Sequence, residues 1–440
     1  MKTTAPFLLV VISVLGWVGC GGSNSSSVPT PTPAANNTVA VTANFGPTGQ
    51  GGGFVNTIFT TVTVCQHGTK TCATIPNIEV DTGSIGLRLL PSALGSVSLT
   101  QILVNGNALQ ECIQFGDTSY TWGPMELADV DIAGETASNI PVQILGNNFT
   151  VPSDCLSSPV NSNLPNGGDV DTLQTVGANG ILGIGDGQVD CGSGCTGVVT
   201  GSSFTPYPYF ICPNGNCEEV SAATTQQATN AVAAFTSTDR NGVVITLPSV
   251  GATGSTTVSG TMTFGIATQA DNALGSATVY PLDPCGDFPT VIYDGISYTD
   301  TNCSGTGIGL GGFLDTGSTG LYVSDASTLN FLGISDCGQG TAGDGFYCVS
   351  PGPTATLANV QFTANSGLTG TTSLTIYNAT NLISSNNAVF NDLGSDSGTS
   401  PSTDFFDFGA PFFLGRTVFV SIFGEAVAGV NNAPNGFVAF

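Results

Sequence analysis

A seven-residue stretch occurs twice in this chain, as Asp81-Thr82-Gly83-Ser84-Ile85-Gly86-Leu87 and as Asp315-Thr316-Gly317-Ser318-Thr319-Gly320-Leu321. Six of the seven positions are identical. Apolar residues lead into and out of each copy, so each reads as strand, tight loop, strand, with an Asp on the loop. A second signal follows each: Ile181-Leu182-Gly183 after the first, Phe413-Leu414-Gly415 after the second. From Asp81 to Gly183 is 102 residues and from Asp315 to Gly415 is 100. A repeat of this length indicates a duplicated domain, not a solenoid of short units.

At 440 residues the chain has room for two domains, each with its own core. Sixty Gly, recurrent Thr and Val, and few helix-period stretches point to mostly β structure. Five Lys and Arg stand against thirty acids, a net charge of −25, which excludes nucleic acid as a partner. The acidity serves either solubility or work at low pH, and composition does not separate these. Residues 1–19 read as a signal peptide, with Lys2, an apolar run over 6–18 and a small residue before Cys20. Gly19-Cys20 resembles a bacterial lipobox, although Trp17 stands where an aliphatic is usual. The expectation is a lipidated Cys20 and a flexible tether over 20–39, and an outer-membrane or cell-surface lipoprotein; the alternative is a periplasmic or secreted protein. Membrane contact is expected only through that anchor.

Thirteen Cys are present, and setting Cys20 aside leaves an even twelve. Local disulfides are expected at Cys65–Cys72, Cys191–Cys195, Cys212–Cys217 and Cys337–Cys348, with Cys285–Cys303 and Cys112–Cys155 completing the set. Zinc is the competing reading of such pairs. With His67 the sole His, no metal is expected.

Alternating patterns give a hairpin over 54–80 that delivers Asp81, and further hairpins over 99–145. Residues 218–235 are the best helix candidate, with Glu218 and Glu219 in the first turn. Strands resume at 242–247 and 260–266, and the patternless residues 268–274 divide a first lobe (40–272) from a second (273–440). In the second lobe, strands are expected at 277–282, 291–298, 355–363, 371–377, 412–423 and 436–440.

Elimination narrows the chemistry. A Ser or Cys nucleophile needs a basic partner, and His67 lies in the Cys65–Cys72 turn, as does Lys70. Carboxylates remain. Two carboxyls held within hydrogen-bond distance share one proton, so Asp81 and Asp315 can serve as base and acid if their loops meet. Gly83 and Gly317 permit the sharp turns and offer amide donors; Ser84 and Ser318 reach the outer carboxylate oxygens; Thr82 and Thr316 point back into the scaffold.

With these motifs in order over residues 50–440, the chain resembles a pepsin-like, two-lobed aspartic endopeptidase. It also resembles an uncharacterised family of bacterial secreted proteins with a Cys-rich first lobe. The resemblance implies a bilobal acid-protease fold with two pseudo-twofold-related, barrel-like β lobes and a cleft between them. It further implies an extended peptide substrate, acidic pH, no cofactor and a monomer. Its flap hairpin would be formed by Phe115, Gly116, Asp117, Tyr120 and Trp122, with Phe115 where the family has Tyr. Phe115 and Trp122 either cover substrate or pack within the hairpin. Arg88 replaces a Trp and would pair with an acidic substrate group or with Asp117; Arg416 replaces a residue that is often Asp. The alternative function is a noncatalytic, pepsin-fold binding or inhibitor-like lipoprotein.

Overall fold

In a computed structural model the described residues are 37–49, 54–116, 119–146, 149–153, 155, 168–196, 208–293, 295–300, 311–324, 332–396 and 405–440. The expectations for the signal segment, Cys20, Cys303 and Asp117 lie outside them.

The protein is mostly β. Its first hairpin joins Ile58–Gln66 to Cys72–Asp81, with Cys65 opposite Cys72 and a bulge between Thr60 and Val62. Val62, Val64, Ile75, Ile78 and Val80 point inward and are almost completely buried, which is the period-two signature of a strand with one face on a core. The long strand Ser119–Ile132 pairs with Asn107–Gln114 on one side and Glu135–Ile144 on the other. Strands Thr38–Ala43 and Gly242–Thr246 flank Val258–Phe264. Gly242–Thr246 then pairs with Thr417–Ser421, which pairs with Phe437–Ala439, which pairs with Val279–Pro281. One sheet thus carries strands from early and late in the chain. A separate sheet holds Thr290–Tyr293, Ile296–Thr299, Thr354–Thr363 and Thr369–Tyr377.

Around the second Asp loop the core is aromatic: Phe408 lies 6.1 Å from Phe288, 6.0 Å from Phe362 and 5.2 Å from Phe412, ring to ring. Around the first it is aliphatic, with Ile78, Val80, Leu87, Leu89, Leu182 and Ile184.

Three expected elements differ. Residues 218–235 do not form a helix: Glu218–Glu219 is a short strand, Thr224–Gln226 one 3-10 turn, and the rest irregular. The side chain of Gln227 donates to the carbonyls of Gly192 (2.8 Å) and Ala222 (2.9 Å), and that of Asn230 to Gly185 (2.9 Å) and Gly187 (3.1 Å). These bonds tie the segment to residues 185–192 and outweigh a weak helical pattern. Residues 291–298 form a hairpin, not one strand. The stretch 412–423 begins inside the helix Gly409–Phe413 and becomes a strand only at Thr417–Ser421.

Disulfides close at Cys65–Cys72, Cys112–Cys155, Cys191–Cys195, Cys212–Cys217 and Cys337–Cys348. Among the described residues no helix is long and apolar enough to cross a membrane. The disulfides are consistent with an exported protein.

Candidate active site

Each Asp loop sits in the same four-strand setting. Gly180–Ile184 runs parallel to Cys72–Asp81, placing Gly183 opposite Asp81, and antiparallel to Ile85–Leu89, which continues in parallel with Glu135–Ile144. The apolar-apolar-Gly segment therefore threads between the two strands that flank the loop. In the second half Phe406–Asp407 does this, parallel to Gly312–Phe313 and antiparallel to Leu321–Tyr322, which continues in parallel with Gly394–Ser395.

This corrects the second repeat signal. The threading glycine is Gly409, 94 residues after Asp315, not Gly415. Gly409 has a φ of +52°, and a Cβ there would overlap the Gly320 carbonyl oxygen, so glycine is required. The residue after it is Ala410. Arg416, offered above as the replacement for a family Asp, instead donates to the Phe412 carbonyl (2.6 Å) and stacks 4.2 Å over that ring.

The two loops meet. The Thr82 amide donates to Thr316 Oγ1 and the Thr316 amide to Thr82 Oγ1, both at 3.0 Å. Each hydroxyl then donates to the opposite approach strand, Thr82 to the Leu314 carbonyl (3.0 Å) and Thr316 to the Val80 carbonyl (2.7 Å). The threonines, expected to point back into the scaffold, reach across to each other's loop. This buried ring of four bonds fixes the separation of the two aspartates.

The Gly83 amide donates to Asp81 Oδ1 (2.8 Å) and the Ser84 hydroxyl to Asp81 Oδ2. The Gly317 amide donates to Asp315 Oδ1 (2.7 Å) and the Ser318 hydroxyl to Asp315 Oδ2 (2.7 Å). A Cβ at Gly83 would lie 2.5 Å from Asp315 Cγ, and one at Gly317 2.6 Å from Asp81 Oδ1, so each carboxyl packs against the other loop's glycine. Asp315 is pushed well above the ordinary carboxylate range, first by burial and then by the charges of Asp81 and Asp407. Two carboxyls placed so close are able to share one proton, the arrangement required for one to act as base while the other acts as acid.

The flap-like hairpin pairs Gln114 with Tyr120 and Cys112 with Trp122. Trp122 is 1% exposed and meets Phe210 edge-on at 5.6 Å, within a cluster that includes Tyr120, Cys112 and Cys155. Trp122 and Tyr120 therefore pack the hairpin. Phe115 and Gly116 stand at its tip, with the Phe115 ring against Phe59, Leu90, Leu145 and Val176.

Arg88 is 1% exposed, which removes it from any substrate. Its guanidinium lies 3.5 Å from Glu111 and donates to the Ile85 carbonyl at 2.8 Å. The Tyr209 hydroxyl is 3.1 Å from Glu111 and 2.7 Å from Asp190, and burial followed by the Glu111 charge raises Asp190. Sequence reasoning missed this network because its members are 23 to 121 residues from Arg88. It also missed Asp407, which stands inside an otherwise apolar segment.

Among the described residues the grouping with metal-ligand geometry is Asp283, Cys285 and Asp300, but Cys285 is disulfide-bonded and offers no thiolate. His67 is half exposed and pairs with Asp129 at 2.7 Å, away from both loops in the Cys65–Cys72 turn.

No curated protein matches the chain. Among solved structures, an aspartic proteinase from Irpex lacteus is similar at 15% identity and a TM-score of 0.42, covering 91% of this chain and 96% of that one. A family described as "Protein of unknown function (DUF3443)" matches residues 33–440. The chain belongs to the DUF3443 family.

Proposed function

We propose that the protein is an aspartic-type endopeptidase working at acidic pH. The observation that carries this reading is the joined pair of loops, in which the carboxyls of Asp81 and Asp315 each pack against the other loop's glycine and each accepts an amide and a hydroxyl bond. Below the pH at which the pair loses its shared proton, the ionised carboxyl takes a proton from a water molecule as that water attacks a peptide carbonyl. The protonated carboxyl hydrogen-bonds the carbonyl oxygen, and the tetrahedral intermediate collapses as the leaving nitrogen is protonated. Thr82 and Thr316 hold the pair in register. Gly83, Ser84, Gly317 and Ser318 hold each carboxyl in plane.

The substrate in this reading is an extended peptide lying beneath the Phe115 hairpin tip, taken up by a monomer whose lobes are residues 40–272 and 273–440. Export with lipidation at Cys20 would set the protein at the outer membrane or cell surface. A peptide bearing a statine hydroxyl, which imitates the tetrahedral intermediate, tests the reading. It binds one-to-one at about pH 4, and binding is lost in Asp81→Asn/Asp315→Asn. A folded protein with no affinity for such a peptide would favour a noncatalytic binding role.

A further inference from the structure

The two Asp loops differ at their fifth position, Ile85 in the first and Thr319 in the second. In each loop the carbonyl of the fourth residue is held by a backbone amide, Ser84 by that of Gly185 (2.9 Å) and Ser318 by that of Ala410 (2.8 Å). The carbonyl of the fifth residue is held in each by a buried side chain. Arg88 donates to Ile85 at 2.8 Å from the exit strand of the same loop. Asn56 Nδ2 donates to Thr319 at 2.6 Å from a segment 263 residues away, just before the first hairpin. One point of the backbone is thus fixed twice by unrelated chemistry.

Asn56 is 1% exposed and has a φ of +59°, a left-handed conformation that Asn and Gly reach more readily than other residues. Its Oδ1 accepts the Phe390 amide at 2.6 Å, and its own amide donates to the Ala388 carbonyl at 2.7 Å. The Thr319 carbonyl can only accept and the Phe390 N–H can only donate, so these partners settle which way the side-chain amide faces. It bridges the second Asp loop and residues 388–390 as a peptide unit would. From there the chain runs to Leu393, whose carbonyl accepts the Leu321 amide at 2.9 Å, and to Gly394–Ser395, the parallel partner of Leu321–Tyr322. The loop is therefore pinned at its entrance by the Thr82–Thr316 bonds and at its exit by Asn56. The Gly317 amide and Ser318 hydroxyl that hold Asp315 lie between these points.

We propose that Asn56 is a positioning residue of the second Asp loop: its bond to the Thr319 carbonyl holds Gly317 and Ser318 where they orient the Asp315 carboxyl, as Arg88 does for the first loop. As a statement about catalysis this rests on the endopeptidase reading; as a statement about the loop it does not.

Asn56→Gly removes both side-chain bonds and keeps the backbone conformation. Asn56→Asp keeps the acceptor for the Phe390 amide and donates to Thr319 only while its carboxyl is protonated. Amide hydrogen exchange, read by mass spectrometry against wild type at the same pH, reports on each loop. In Asn56→Gly, exchange over residues 315–322 quickens by about tenfold while residues 81–87 keep their protection. A merely structural role would quicken both loops and the Ile58–Gln66 strand alike, and that result, or an unchanged second loop, overturns the proposal. In Asn56→Asp the second loop matches wild type near pH 3 and loosens towards about pH 7, as the introduced carboxyl ionises. A loop equally tight or equally loose at both pH values refutes the role of the donated bond, and this variant decides the matter if Asn56→Gly fails to fold. In cleavage assays of Asn56→Gly, kcat falls about tenfold with KM within about threefold, and an unchanged kcat beside a loosened loop overturns the catalytic part. A second loop that loosens as described, in a protein whose wild type cuts nothing, would instead sink the endopeptidase reading alone.

Discussion

Arg88 shows how much of a residue's role depends on partners remote in sequence. Its presence after the first Asp loop is plain from the chain, and its charge invites a substrate-binding reading. Burial beside Glu111 gives it another role: it ties the loop-exit strand Ile85–Leu89 to the flap-like strand Asn107–Gln114. Removing one member of a fully buried ion pair leaves the other uncompensated. Glu111→Gln is therefore expected to cost about 3–5 kcal/mol in urea unfolding, whereas Arg88→Met with Glu111→Leu recovers most of that loss. A cost below about 1 kcal/mol for Glu111→Gln would mean that the pair is not buried as described. At this scale the two Asp loops were fully legible, because six of seven consecutive positions repeat. Asp407 was not, because an apolar-apolar-Gly pattern recurs at 413–415 and draws the eye past Gly409.

Hairpins were the elements most readily foreseen. Alternation in Val62 and Val64, paired with Ile75 and Ala73, sets the strand faces, and the turns between need few residues. The failed helix at 218–235 and the short helix Gly409–Phe413 have the opposite origin: side-chain bonds from Gln227 and Asn230 decide one, and the threading of Phe406–Asp407 between two strands decides the other. Neither force leaves a local pattern. Disulfides act at this scale too. Cys112–Cys155 closes 43 residues and joins the flap-like hairpin to the segment at 149–155, whereas Cys191–Cys195 closes 4. Chain entropy then predicts that the paired Ser replacement costs about 4 kcal/mol for the first and about 2 kcal/mol for the second. Urea midpoints of the two variants check the order, and an inverted order would show that native-state packing dominates.

Across the whole molecule, burial of acids sets the response to pH. Asp186 and Asp283 are raised to about 6, and Asp392 and Asp407 to about 7, in each case chiefly by burial. Asp190, Asp287 and Asp315 are raised as well. Each binds its proton more tightly folded than unfolded. For Asp186, Asp283, Asp392 and Asp407 the stabilising contribution is complete below the unfolded value of about 4 and is lost as pH rises through about 6 to about 7. Asp129 runs the other way: burial is outweighed by bonds from His67, Ser138, Asn139 and Gly68, which hold it at about 2. Its contribution is complete above the unfolded value of about 4 and is lost as pH falls through about 2. Thermal midpoints should thus be higher near pH 4 than near pH 7. A midpoint that rises from pH 4 to 7 would contradict this burial pattern. Net charge alone does not separate work at low pH from solubility.

The central claim is that Asp81 and Asp315 work as a proton-sharing pair, and cleavage tests it most directly. Purified protein is incubated with an unfolded polypeptide from about pH 2 to about pH 7, beside Asp81→Asn and Asp315→Asn controls of matched folding. The account predicts cleavage confined to acidic pH, blocked by a statine peptide and lost in either control. Cleavage that survives in both Asn variants, or no cleavage at any pH by folded wild-type protein, would contradict it.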